Sequence, residues 1–319
     1  MSKIMITGGT GFLGKRLGKA LKLMGHDVVL VGRNNKQNLS AMEFSGCKVY
    51  AADVSRIESF RDVVNQINPS VIIHAAATKF VDLSEKQPME AVDVNVVGSQ
   101  NVARVAIEKG VKLVIGISTD KAAPPIRNTY GLTKALMERM FCAIDSVSNT
   151  RFLCVRYGNV AWSTGSVLCI WRKMLRDAKM IQTTGADMFR FFFTVDDAVQ
   201  LVLTALSHAP ELYGKVVGRY MKSAKMEDIL KIWVAQEGAN YRRVESRPGE
   251  RNEEFLVGDQ ELPYTTTALF NNIKHYIISF NQKAPQPLPE VLSSRNAERL
   301  SEDEIRSLIN NPPLEEVIL

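Results

Sequence analysis

A chain of 319 residues has room for one large or two unequal domains, and 45% apolar with 23% charged residues is ordinary globular composition. The net charge of +6 is not gathered into any block of Lys or Arg, which argues against a nucleic-acid surface and suits an anionic small ligand. Four dispersed cysteines (Cys47, Cys142, Cys154, Cys169) and four dispersed histidines lack metal-ligand spacing, so the thiols read as reduced core residues and metal catalysis has no support.

In chain order, Lys3–Thr7 reads as a strand and Gly11–Met24 as an amphipathic helix ended by Gly25. Strands follow at His26–Gly32 and Cys47–Ala51, then a helix at Ser55–Gln66 and a buried strand at Val71–Ala75. Met89–Lys109 predicts one long helix, Lys112–Ser118 a strand, Thr129 to Asp145 a helix and Phe152–Tyr157 an apolar strand. Alternating strands and helices imply a doubly wound parallel sheet of the Rossmann type. The pattern then loosens, with helical stretches at Val167–Asp177, Val195–Leu206 and Met226–Glu237, a Pro-rich segment at Ala284–Pro289 and an amphipathic stretch at Glu302–Ile309. The expected organisation is a nucleotide-binding domain over 1–160, a smaller, mainly substrate-binding lobe over 161–285 with some segments returning to the first domain, and a tail over 286–319. The Glu302–Ile309 stretch packs either on a neighbouring subunit or on its own body. The start, MSKIMITGGTGFLG, has no signal-peptide pattern, and no apolar run reaches the roughly 18 residues of a membrane span, so a cytoplasmic protein without membrane insertion is expected.

The first strand runs into Gly8-Gly9-Thr10-Gly11-Phe12-Leu13-Gly14 and then a helix, the arrangement in which a backbone can approach a pyrophosphate seated on a helix N-terminus. After the second strand stands Arg33 with no carboxylate near it, which favours a ribose 2′-phosphate and therefore NADP over NAD; the alternative is a solvated surface arginine. Asp53, beside Val54, could accept from an adenine amino group or cap the next helix, and both readings stand. His74 ends a buried strand and reads as a packed core histidine. The aromatic run Phe189, Phe191, Phe192 and Phe193 reads as core, with Arg190 inside it requiring a partner.

Ser118-Thr119-Asp120-Lys121 closes a strand whose carboxyl end should face the ligand crevice, and Tyr130 and Lys134 share one helix face four residues apart. A tyrosine near pKa 10 is no base at neutrality, but a neighbouring ammonium together with the cofactor's nicotinamide charge lowers it. Tyr130 could then take a proton from a sugar hydroxyl as hydride leaves the same carbon.

With these pieces together the sequence resembles the extended short-chain dehydrogenase/reductases, and more narrowly the UDP-N-acetylglucosamine 4,6-dehydratases of the C5-inverting type. The resemblance spans nearly the whole chain: TGGTGFLG (7–14), HAAATKFVDLSEKQP (74–88), VNVVGSQNV (94–102), STDKA (118–122), YGLTK (130–134), RYGNV (156–160), GSV (165–167), MFRFFFT (188–194), RPGE (247–250) and SSRNAERLSEDE (293–304). It implies Asp120 and Lys121 as the acid/base pair for eliminating water across C5 and C6, Tyr130 as the group that starts oxidation at C4, and Lys134 as the holder of the nicotinamide ribose. It implies Ala75, Lys79, Asp53 and Val54 along the cofactor, Asn159, Val160 and Thr164-Gly165-Ser166-Val167-Leu168 around the nucleotide diphosphate and sugar, and Arg190, Arg247 and Glu250 in the substrate lobe. A homo-oligomer acting on a UDP-sugar in surface polysaccharide synthesis is implied as well. Two departures stand out: the Asp120–Tyr130 loop, with Pro124-Pro125, is one residue longer than the family pattern, and no His follows RPGE.

Lys121 as base needs a neutral amine and Asp120 as acid a raised pKa, both favoured by burial in a closed cleft; the competing reading is that the two simply pair with each other. Other functions for the chain are a sugar-nucleotide 4-epimerase, which needs Tyr130 and Lys134 but no C5 acid/base pair, and a non-catalytic NADP-binding sensor, whose mark would be a broken YxxxK.

Overall fold

The computed structural model describes residues 1–246 and 249–313. Strands β1 (Lys3–Thr7), β2 (Asp27–Gly32), β3 (Lys48–Ala51), β4 (Val71–His74), β5 (Leu113–Ile117) and β6 (Arg151–Arg156) lie in the order 3-2-1-4-5-6, all parallel. This is the doubly wound Rossmann order. Strands β1, β4 and β5 are apolar runs because helices cover both faces of the sheet. Three later strands extend the same sheet beyond β6: Val216–Arg219 joins in parallel, and Ile273–Ile278 and Thr265–Phe270 add an antiparallel hairpin. Asn271 and Asn272 form the two-residue hairpin loop at φ 52° and 61°, the left-handed pair a primed turn requires and asparagine tolerates.

A second apolar cluster sits over the carboxyl edge of the sheet, around Trp162, Trp171 and Trp233. The helix Glu302–Asn310, capped reciprocally by Ser301 and Glu304, inserts Ile305 and Ile309 into that cluster. Trp162 Nε1 donates to the Leu308 carbonyl at 2.7 Å, so this stretch packs on its own body. The expected single helix Met89–Lys109 is divided: Pro88–Val92 and Gly98–Glu108 are α-helical, and Asp93–Val97 between them is a π turn. The wider turn carries Asn95, whose fully buried amide spans Thr78 N–H (2.8 Å), Thr78 O (3.0 Å) and Thr133 Oγ1 (3.0 Å). No described helix is long and apolar enough to cross a membrane.

Candidate active site

The strand order reverses between β1 and β4, which leaves a crevice beyond the strand ends. A cleft of about 1760 Å³ opens there, well above the roughly 300–1,000 Å³ of a single-ligand pocket. It is lined by the residues that follow β1, β2, β3, β4, β5 and β6, and by Ser163–Leu168 from the smaller lobe.

One half is built on the first turn. Gly8 has φ +64° and packs so closely that a Cβ there would lie 2.6 Å from Ala76 N. The helix α1 (Phe12–Leu23) begins at Gly11 with no side-chain cap and no acidic residue in its first turn. Its N–H groups and the positive end of its dipole are therefore available to an anion. Thr10, Phe12, Leu13 and Gly14 line the cleft with them, as do Val54, Ala75 and Lys79. Lys79 Nζ donates to the Thr164 carbonyl at 2.8 Å and so links the two halves. The residues present fit a dinucleotide in size, in the uncapped helix end and in the close-packed glycine turn.

Arg33 stands at the rim, half-exposed, 3.3 Å from Asp53 Oδ2 and 3.9 Å from Glu90 Oε1. Asp53 does not cap the helix Ile57–Ile67, whose N-cap is Arg56. Its Oδ1 instead accepts from Ser55 N (2.9 Å) and Ser55 Oγ (2.7 Å). Burial raises its pKa, but the Ser55 and Arg33 hydrogen bonds outweigh that and hold the carboxyl below its usual value.

The other half gathers the candidate catalytic groups. Asn128 caps the helix Thr129–Asp145 by accepting from Gly131 N at 2.7 Å, and this brings Tyr130 to the cleft wall beside Thr119 and Lys121. Thr119 hydrogen-bonds the phenol and also donates to Asp120 Oδ1 at 3.0 Å. Lys121 Nζ lies 3.0 Å from Asp120 Oδ1, 3.3 Å from Asn159 Oδ1 and 3.5 Å from Glu254 Oε1. Asp120 is fully buried behind the wall. Its Oδ2 has no hydrogen-bond partner among the described residues. A Cβ on Gly158, which lines the cleft, would come within 3.1 Å of that oxygen.

Three expectations about protonation and position need correction. Lys121 is not neutral: burial lowers its pKa, but Asp120 and Glu254 overcome that and raise it, so the ion pair exists here. For Tyr130, burial pushes the phenol up to about 12, against a downward pull from Lys121 rather than from Lys134. Lys134 lies buried off the cleft wall, with Nζ 3.1 Å from Met137 Sδ. Burial takes its amine down to about 8. The four-residue spacing put Lys134 on the correct helix face, but its side chain turns into the protein.

Of the substrate candidates, Asn159, Val160, Thr164, Gly165, Ser166, Val167 and Leu168 all line the cleft. Ser166 begins the helix Val167–Ala178 without a side-chain cap, so a second open helix N-terminus faces the same space. Arg190 and Glu250 do not line it. Arg190 Nη2 donates to the Arg251 carbonyl at 2.7 Å, and Glu250 Oε1 accepts from Thr184 Oγ1 at 2.9 Å. Arg247 lies outside the described residues. Motifs alone do not reveal Glu254 and Arg251, both buried; the charge-dense run following RPGE is the available signal. Nor do they reveal Tyr157, on the cleft wall near Tyr130, whose phenol burial pushes up. His74 is fully buried between Thr7 Oγ1 (2.7 Å) and Ser99 Oγ (2.9 Å), and burial takes it down to about 3.

The family described as polysaccharide biosynthesis protein matches residues 4–275. The chain belongs to that family, within the extended short-chain dehydrogenase/reductases. It is 32% identical to the inverting UDP-N-acetylglucosamine 4,6-dehydratase of Campylobacter jejuni, over 82% of this chain and 79% of that one. It is 31% identical to the UDP-glucose 4-epimerase of Rickettsia rickettsii, over 96% and 94% of the two chains. The X-ray structure of Pen from Bacillus thuringiensis superposes at a TM-score of 0.88 with 27% identity, covering 100% of this chain and 98% of that one. Sugar-nucleotide dehydratases and epimerases both stand among the relatives, so family membership fixes the class of chemistry and not the reaction.

Proposed function

We propose that the chain is an NADP-dependent UDP-N-acetylglucosamine 4,6-dehydratase of the inverting type. The observation that carries this reading is the Asp120–Lys121 contact of 3.0 Å beside Tyr130, at the wall of a cleft with two uncapped helix N-termini. Two open helix ends suit two diphosphates, one at Gly11–Gly14 from the dinucleotide and one at Ser166–Leu168 from the nucleotide sugar. Arg33 favours a 2′-phosphate because its rim pairs, exposed to water, are weak competitors worth about 0–1 kcal/mol.

The bound dinucleotide supplies the acceptor and later donor of hydride, together with a positive ring charge. Tyr130, held by Thr119, receives the proton of the C4 hydroxyl; a cation beside the phenol brings it down from its raised value. Oxidation at C4 acidifies the C5 hydrogen. Lys121 and Asp120 then need only exchange the proton between them: the charged pair becomes a neutral amine and a neutral carboxyl, the base and the acid that elimination across C5 and C6 requires. In water that exchange is uphill by about 6–7 pKa units, or about 9 kcal/mol at about 1.36 kcal/mol per unit. Excluding water from the closed cleft favours the neutral pair and narrows the gap. Asp120 Oδ2, unpartnered among the described residues and buried behind Gly158, is the oxygen left to carry that proton, and protonating the departing C6 hydroxyl requires the wall at Gly158 to shift.

The second reading is a 4-epimerase, favoured by the epimerase relative that spans more of this chain. Incubation with UDP-N-acetylglucosamine in deuterated water, followed by NMR, separates the two. A dehydratase yields a 6-methyl signal and deuterium at C5. A 4-inverted sugar without solvent label overturns the proposal.

A further inference from the structure

Behind Lys121, away from the cleft, lies a carboxylate that this mechanism leaves unused. Glu254 is 2% exposed. Its Oε1 stands 3.5 Å from Lys121 Nζ and 4.0 Å from Arg190 Nε. Its Oε2 has no hydrogen-bond partner among the described residues and faces Arg251 Nη1 at 3.8 Å. A buried, incompletely paired carboxylate is costly, and an apolar residue of similar size would avoid the cost.

The backbone around Glu254 is held in place. Glu254 N–H donates to Ser294 Oγ at 2.9 Å, and Ser294 N–H returns a bond to the Glu254 carbonyl at 2.8 Å. Ser294 Oγ in turn donates to the Phe189 carbonyl at 2.9 Å, while Arg299 Nη1 donates to the Ser294 carbonyl at 2.7 Å. Phe255–Val257 pairs with Leu292–Ser293 as a short antiparallel ladder. The SSRNAERLSEDE stretch therefore straps the Glu254 segment against the strand-tip loop. The charged or titratable groups around Lys121 are Asp120 from its own turn, Glu254 and Arg251 from the strapped segment, Arg190 from the strand Phe189–Phe193 and Tyr130 from its helix, with Arg127 in electrostatic reach of Arg251.

We propose that Glu254 is a positioning residue for the elimination step, one that aims the Lys121 amine from a fixed point behind it as it takes the C5 proton. The proposal rests on the dehydratase reading. In that step the C5–H bond breaks and its proton passes to Lys121 Nζ. The electron pair forms the C5–C6 double bond, and the C6–O bond breaks as Asp120 gives its proton, releasing water. The amine that receives the proton lies 3.5 Å from a carboxylate whose backbone is fixed by Ser294, which sets its direction. Glu254 serves Lys121 as a buried aspartate serves a catalytic imidazole in one respect, by orienting the base.

The test compares the dinucleotide-loaded full chain with its Glu254→Gln and Glu254→Asp variants. Glu254→Gln is expected to lower the rate of 6-deoxy product formation on the order of 10²-fold, with KM and the rate of transient nicotinamide reduction nearly unchanged. The proton shared by Lys121 and Asp120 is held less tightly without the Glu254 charge, so the basic limb of the dehydration profile moves to lower pH, by about one unit. Glu254→Asp keeps the charge and returns the limb toward its original position. Wild-type rate and limb in Glu254→Gln overturn the proposal. So does an equal loss of reduction and elimination with an unmoved limb, since that marks a purely structural role. A wild-type chain that forms no 6-deoxy product overturns the dehydratase reading first and this inference with it.

Discussion

The two halves of the cleft are built in opposite ways. The Gly8–Gly14 half is local: one strand, one turn and one helix end, contiguous in sequence and fixed by backbone packing. The Lys121 half joins Asp120 and Tyr130, near Lys121 in the chain, to Asn159, Arg190, Glu254 and the clamp at Ser294 from segments well separated in sequence. Backbone geometry defines the first seat and electrostatics the second. The first should therefore tolerate changes of charge, and the second should be sensitive to them.

The largest expected effect lies in the second half. Asp120→Asn removes the proton donor and should slow elimination by about 10²–10⁴-fold while sparing transient nicotinamide reduction, as seen by stopped-flow absorbance; equal loss of both would erase the assigned division of labour. Next comes the foundation beneath that half. Arg156 is fully buried between Glu138 (2.6 Å) and Glu261 (2.8 Å), so Arg156→Met leaves two uncompensated carboxylates and should cost about 3–5 kcal/mol in denaturant unfolding.

A comparable effect in the first half depends on pH. His74 bridges Thr7 and Ser99 as a neutral ring with a pKa of about 3 against about 6.5 unfolded. The unfolded chain binds the extra proton between those values, so stability is present above pH about 6.5 and is lost as pH falls toward 3, by up to about 5 kcal/mol. Thermal melts across that window should steepen for the wild type and flatten for His74→Gln. The smallest effect belongs to the rim: Arg33→Ala should weaken NADP about tenfold and leave NAD unchanged in titration calorimetry, and equal affinities in the parent chain would remove the 2′-phosphate assignment.

What the sequence made legible follows the same division. The strand–turn–helix at 3–24, the alternation of strands and helices that implies a parallel sheet, and the Tyr130 helix are written in local periodicity and turn chemistry. The π turn at Asp93–Val97 was not, because an apolar pattern does not distinguish a wide turn from a regular one. Arg190 and Glu250 were expected at the substrate and instead hold neighbouring backbone and Thr184, since a motif gives residue type and not direction. The spacing predicts that Lys134 shares a helix face with Tyr130, but its flexible four-carbon stem settles the amine on Met137, off the cleft wall. Glu254 was not legible because its meeting with Lys121 bridges more than a hundred residues.

The Ser294 clamp has a temporal meaning. The six parallel strands and their glycine turn all precede residue 157, while the helix Val195–Ser207 that packs on α1 and β6 comes later. The carboxylate behind Lys121 waits for Ser294, made 40 residues after it, to fold back and lock it. In the order of synthesis the glycine turn therefore precedes the clamp that fixes Glu254 by more than two hundred residues.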